Sequence, residues 1–160
     1  MQEVFGGSKM AKIEEHLYRS VRKDEFAGGV LTEDGEAMEG ILHGDIDPRS
    51  VIVRGKQTMR MDWRRDRDGY FKTGHGTSLW DKKGVFGYPN WHYFMLPEGT
   101  VIPDSLKLVK GNWSDKYQAT HWQIEVANGG DLRADALRGA LDNLARNCVV
   151  RAKELGISLM

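Results

Sequence analysis

The chain has a single cysteine, Cys148, in 160 residues. No disulfide can close within it, no cysteine-based zinc site can be assembled, and a reducing compartment suits it. An excess of either charge is also missing, since 23 Lys and Arg stand against 23 Asp and Glu. At zero net charge there is no general attraction for nucleic acid or anionic membrane, so neither strong non-specific nucleic-acid binding nor a membrane partner is expected; a local basic patch stays possible. No run reaches the roughly 18 apolar residues of a membrane span. Residues 1–12 lack the apolar stretch of a signal peptide. The expectation is synthesis in the cytoplasm, with any export left to a secretion machine. Internal repeats and low-complexity segments are absent as well.

What is present fits one globular domain over residues 1–160, with 1–12 expected to be flexible. The hydrophobic share is 40% and the charged share 29%, ordinary for a soluble fold. Residues 74–81, Gly-His-Gly-Thr-Ser-Leu-Trp-Asp, stand out. Glycines allow close backbone approach to a ligand, the hydroxyl pair can donate and accept, and Trp80 offers an apolar wall. The competing reading is a polar turn ahead of a short helix, with Thr77 or Ser78 as N-cap.

Elsewhere the pattern gives a mixed fold. Residues 17–21 read as an early strand with Leu17, Arg19 and Val21 on one face, so Arg19 must find an anion or carbonyls if that face is covered, or else sits on an edge strand with its head in water. Residues 23–69 read as loops and short elements, with turns at Gly28-Gly29, Asp34-Gly35 and Asp47-Pro48 and a short apolar run over 51–53. Arg60, Arg64, Arg65 and Arg67 alternate with Asp62, Asp66 and Asp68, a cluster expected to neutralise itself in net charge and to form a solvated face or a set of weak surface pairs. Asp45-Ile46-Asp47 lacks the further ligands of a calcium loop. Residues 93–96 and 106–109 read as strands. The clearest strand covers 117–126, with Thr120, Trp122, Ile124 and Val126 facing one way and His121, Gln123 and Glu125 the other. A helix over 132–155 closes the chain, with Asp131 as N-cap, Gly156 as stop, and a packing stripe of Leu137, Leu141, Leu144, Cys148, Ala152 and Leu155. Cys148 on that stripe reads as a small buried hydrophobe.

The order Leu17-Tyr18-Arg19, Gly76-Thr77-Ser78, Gln123-Ile124-Glu125 resembles the arginine, serine-threonine and Gln-x-Glu motifs of mono-ADP-ribosyltransferases. With Asp81, Gly84-Val85, Ile102-Pro103, Gln118-Ala119-Thr120-His121 and Leu141-Asp142-Asn143, the chain more narrowly resembles the Tse-type toxins, a family that includes a type VI secretion effector and bacterial and fungal relatives. The resemblance covers about residues 17–21 and 76–152 and none of 23–69. It implies a compact α+β fold like that of the NAD-binding ADP-ribosyltransferases, with the C-terminal helix packed on a sheet. It implies growth arrest in the recipient cytoplasm, a cognate immunity protein and a macromolecular ADP-ribose acceptor.

The resemblance also distributes roles. Glu125 would stabilise the positive charge that develops as the nicotinamide bond breaks, with His121 able to share that work. Arg19 would hold the pyrophosphate or ribose side. Gly76, Thr77, Ser78 and Gln123 would border the ribose, and Tyr18 or Trp80 the nicotinamide. NAD is the implied substrate, consumed either by transfer of its ADP-ribose or by NAD glycohydrolysis, with no metal. Replacing Thr77 and Ser78 together is expected to end toxicity while sparing the fold, and His121, Gln123 and Glu125 are expected to border one cleft with Arg19 and residues 76–78. Two other readings stand beside this one: an RNA 2′-phosphotransferase-like enzyme using Arg64 and Arg65, and a non-enzymatic toxin that occupies its target.

Overall fold

The computed structural model describes residues 10–127 and 132–160. In chain order the elements are β1 (Leu17–Arg22), β2 (Arg49–Val53), β3 (Lys56–Arg60), β4 (Gly76–Trp80), β5 (Trp91–Leu96), β6 (Leu106–Ser114), β7 (Ala119–Val126) and the helix α1 (Ala134–Leu155). Five strands form a sheet in the order β5-β1-β4-β7-β6, and β2 and β3 make a separate hairpin. Every pairing is antiparallel. Together with the closing helix this is the expected α+β architecture.

Period-two alternation sets which face of β7 meets the core. Trp122, Ile124 and Val126 are buried, and their neighbours Leu79 on β4 and Leu106 on β6 extend the same apolar layer. The opposite row does not simply face water. Glu125 is only 5% exposed.

The helix supplies the other wall. Leu137, Leu141, Leu144, Ala145, Cys148, Val149 and Ala152 are its buried residues. Leu155 is 39% exposed, so the packing stripe ends a turn earlier than periodicity suggests. Gly156 stops the helix in the left-handed region at φ 66°, its N–H turned to the carbonyls of Ala152 and Lys153. At the other end the helix begins at Ala134, after Arg133, which provides no side-chain cap; Asp131 lies outside the described residues. Leu144→Ala is expected to cost about 2–5 kcal/mol because the site cannot collapse around the missing methyls. Chemical denaturation checks this, with exposed Leu155→Ala as the near-neutral control.

One expectation needs correction. Residues 76–80 form neither a turn nor a helix start but a central strand, paired with β7 over its whole length. The pairing with β7 overrides the local turn chemistry and turns Thr77 and Leu79 inward, where both are buried. Residues 23–69 are loops and short elements as expected, and Val30, Ile41, Leu42, Ile46 and Trp63 from them enter the core. This segment is also tied to α1. One carboxylate oxygen of Asp142 accepts the Gly40 N–H at 3.1 Å and lies 2.9 Å from His43 Nε2.

Candidate active site

The site arises where the sheet fails to close. β1 pairs with β5 along all of Leu17 to Arg22, yet its register with β4 consists of Tyr18 opposite Trp80 alone. Beyond that pair the strands part, and the gap leads into a cavity of about 660 Å³, well within the range of small-molecule sites. Arg19, Ser78, Trp80 and His121 line it, joined by Asp45 and Asp62 from the segment between β1 and β4.

Arg19 comes from the face of β1 that also carries the buried Leu17 and Val21. One terminal guanidinium nitrogen donates to the Ser78 carbonyl at 3.3 Å. Its Nε is buried with no hydrogen-bond partner among the described residues. Burial pushes the Arg19 pKa down, and the charges of Asp62, Asp45 and Glu25 oppose that shift. A buried guanidinium N–H without an acceptor costs free energy.

His121 and Trp80 form an aromatic wall. The Trp80 ring meets His121 at 5.1 Å and Tyr117 at 5.2 Å, both edge to face, while Phe86 packs on Tyr117 at 5.2 Å. Burial lowers the His121 pKa, so the imidazole resists protonation in the folded state. The consequence for stability has a definite sign. The unfolded chain takes up this proton first, so the contribution of His121 is present above its unfolded pKa of about 6.5 and is lost as pH falls below it. His121→Gln is therefore expected to flatten the decline of melting temperature between about pH 7 and 5, and equal slopes for the two proteins would refute it.

Thr77 points away from the cavity. It is wholly buried, donates its hydroxyl to the Leu42 carbonyl at 2.7 Å and accepts the Trp63 indole N–H at 3.2 Å. A double replacement of Thr77 and Ser78 thus combines a stability loss with any loss of ligand contact, contrary to the expectation that it spares the fold. Gly76 is required by packing, since a Cβ there would lie 1.7 Å from the Ile124 carbonyl oxygen. Tyr18, half-buried with its pKa raised by burial and by Tyr88, lies outside the cavity lining.

Glu125 and Gln123 also lie outside that lining. The Glu125 carboxylate accepts the Gly74 N–H at 2.7 Å, the Gln123 amide at 3.0 Å and the Thr73 hydroxyl at 3.3 Å, with Lys107 Nζ at 3.8 Å. It anchors the chain entering β4. The polar row of β7 is therefore divided between His121 at the cavity and Gln123 and Glu125 beside residues 73–74.

Sequence reasoning missed Asp45 and Asp62. The Asp62 carboxylate accepts the Asp45 N–H at 2.6 Å, and Gly44 is pinned beside it, because a Cβ there would lie 2.8 Å from the same carboxylate. The usable signal was Gly44-Asp45 itself, a glycine at φ 61° directly before an acid. The charge cluster is the expected solvated face, with Arg60, Arg64, Arg65 and Arg67 all exposed. Arg65 pairs with Asp47 and lies over Phe71, while Asp66 accepts the N–H groups of Asp68 and Tyr70 in its own turn. Neither Arg64 nor Arg65 reaches the cavity, which removes the support for the phosphotransferase reading. Among the described residues no group of three or more His, Cys, Asp or Glu is placed to hold a metal, and no helix is long and apolar enough to cross a membrane.

Comparison with known proteins meets this geometry. Residues 10–153 match the family described as Tse2 ADP-ribosyltransferase toxin. The chain is 34% identical over 148 residues to Toxin Tse2 of Pseudomonas aeruginosa, a match covering 86% of this chain and 90% of the relative. Both matches take in the β2–β3 region that the motifs alone left unassigned. The motif order, the α+β fold and a match over most of the chain agree: the protein belongs to the Tse2 ADP-ribosyltransferase toxin family.

Proposed function

We propose that the cavity between β1 and β4 binds NAD and that this toxin transfers ADP-ribose from it to a macromolecule of the target cell. The observation that carries the reading is Arg19, a part-buried guanidinium that lines the cavity and whose Nε has no partner among the described residues. A planar fork of N–H donors matches phosphate oxygens. The aromatic wall of Trp80, Phe86 and His121 suits a flat ring. Loss of nicotinamide places positive charge on the ribose, and carboxylates close to the site stabilise such charge.

Within that frame Arg19 grips the pyrophosphate, Ser78 borders the ribose, and His121, held neutral by burial, hydrogen-bonds the ribose or the incoming group. Asp45 and Asp62 set the negative potential at the cavity and hold Arg19 in place. Glu125 acts through residues 73–74, fixing the start of β4, and Gln123 supports that carboxylate. Thr77 positions β4 against Trp63. The reading extends to delivery by a secretion machine into the recipient cytoplasm and to a cognate immunity protein that protects the producer.

The test is nicotinamide release from NAD by the purified protein, with and without lysate of a susceptible cell. Ser78→Ala is expected to lower release about tenfold or more while leaving the melting temperature within about 1 °C, since surface-facing changes away from the core are within about 0.5 kcal/mol. Undiminished release by Ser78→Ala would remove it from the site, and no release under any condition would end the transferase reading.

A further inference from the structure

The β2–β3 hairpin carries an unusual charge pattern. From Arg49 to Arg60 it holds Arg49, Arg54, Lys56 and Arg60 and not one acid, in a chain whose formal net charge is zero. Arg49 is paired, with Asp45 and Glu25. Among the described residues Arg54, Lys56 and Arg60 have no ion-pair partner. Arg60 stands directly across the ribbon from Arg49, and like charges at opposed positions destabilise a β pair.

The tip is built against local preference. Arg54 and Gly55 both have positive φ, 52° and 77°, the two-residue turn in which Asn-Gly or Asp-Gly is the favoured choice. An arginine therefore occupies a position that turn chemistry gives to a small polar residue, at some backbone cost. Beside these cations Ile52 is 71% and Met59 62% exposed. The base of the ribbon reaches the site: Arg49, Val51 and Arg60 line the same cavity as Arg19.

We propose that this hairpin docks the sugar-phosphate backbone of a nucleic acid and that a nucleic acid is the acceptor of the ADP-ribose, an inference that rests on the transferase reading above. Cations run from the cavity to the tip over a ribbon about 14 Å long at 3.4 Å per residue, a track suited to successive phosphates. Exposed Ile and Met beside these cations are side chains that wedge against bases. Arg and Met suit protein interfaces too, but the aromatic anchors that mark such interfaces are missing, since residues 49–61 contain no aromatic residue. In the transfer, a hydroxyl oxygen or ring nitrogen of the acceptor forms a bond to the ribose C1′. The bond from C1′ to the nicotinamide nitrogen breaks, its electron pair stays on that nitrogen and neutralises the pyridinium, and the proton of the attacking group passes to water.

The experiment has two arms, both on the full chain. In the first, a fluorescent single-stranded oligonucleotide is titrated with wild type and with the Arg54→Asn/Lys56→Gln variant at several salt concentrations. Asn suits the turn, so weaker binding cannot be blamed on a collapsed hairpin, and an unchanged melting temperature confirms this. Binding is expected to be modest, to fall with a log–log salt slope of roughly −2 to −3 for three to four phosphate contacts, and to weaken at least tenfold in the variant. In the second, NAD labelled in the adenylate half is incubated with enzyme, cellular RNA and cellular protein. Label is expected in a nuclease-sensitive, protease-resistant fraction, reduced at least tenfold by the variant, while nicotinamide release without acceptor stays the same. Label in the protein fraction, or oligonucleotide binding equal for the two proteins, overturns the proposal. Intact, hairpin-dependent binding with no NAD turnover overturns the transferase reading and with it the acceptor role, leaving the docking.

Discussion

Arg19→Lys is expected to lower NAD turnover by about tenfold to a hundredfold, matching the roughly 1.5–3 kcal/mol of a hydrogen bond to a charged group such as the pyrophosphate. Lysine keeps the positive charge beside Asp62 and Asp45 but not the planar donor fork, so the fold should tolerate it while the grip on two oxygens is lost. The enclosed Nε sharpens the argument. A purely structural arginine on a buried strand face would be expected to satisfy all its donors internally, and this one leaves a donor unpaired at a cavity wall. Nicotinamide release and the melting temperature together decide it: loss of both would make Arg19 a structural residue, and loss of neither would remove it from the mechanism.

Trp63→Ala is expected to have the largest effect on stability, about 3–5 kcal/mol for a large aromatic in the core, or a fall in melting temperature on the order of 10 °C. The indole is fully buried, packs edge to face on Phe71 at 6.4 Å, and donates to the His43 carbonyl at 2.9 Å and to Thr77 at 3.2 Å. It therefore joins the segment before β4 to β4 itself, and Asp62, its immediate neighbour, stands in the cavity. Trp63→Phe keeps much of the apolar volume and strips the N–H, so a smaller loss of about 1–3 kcal/mol is expected from the acceptors left behind. Thermal and chemical denaturation of the two variants separates packing from hydrogen bonding, and equal losses would contradict the assignment.

How much was legible in the sequence depended on periodicity. α1 and β7 announce themselves because their apolar residues recur at the spacing of one face. β4 did not, because two glycines and a hydroxyl pair read locally as turn chemistry, while its strand character comes from pairing with β7, a contact between residues far apart in sequence. The same limit hid the cavity. That Arg19 and Ser78 come together was expected from motif order alone, but nothing local in β1 or β4 says that the strands meet only at Tyr18 and Trp80. Thr77 and Ser78 show the resolution limit of a motif. Adjacent strand residues point to opposite faces, so one member of the pair is spent on Trp63 and Leu42 and the other is left at the cavity. Asp45 and Asp62 were legible only as charges, since their role comes from a carboxylate reaching back to a backbone N–H across the intervening hairpin.

The residues that follow α1 bear on self-association. A sheet ending in an open strand invites pairing with another copy. Here the free side of β5 is occupied, because the Met95 N–H donates to the Leu159 carbonyl at 3.0 Å and Leu159 is buried. The opposite border, β6, is interrupted by a register shift between Lys110 and Trp113 and carries lysines at 107 and 110, devices that discourage strand addition. Both borders are thus closed to templated growth, one by the chain's own tail and the other by a kink and charge, which favours a toxin that stays dispersed at high concentration before it meets its target.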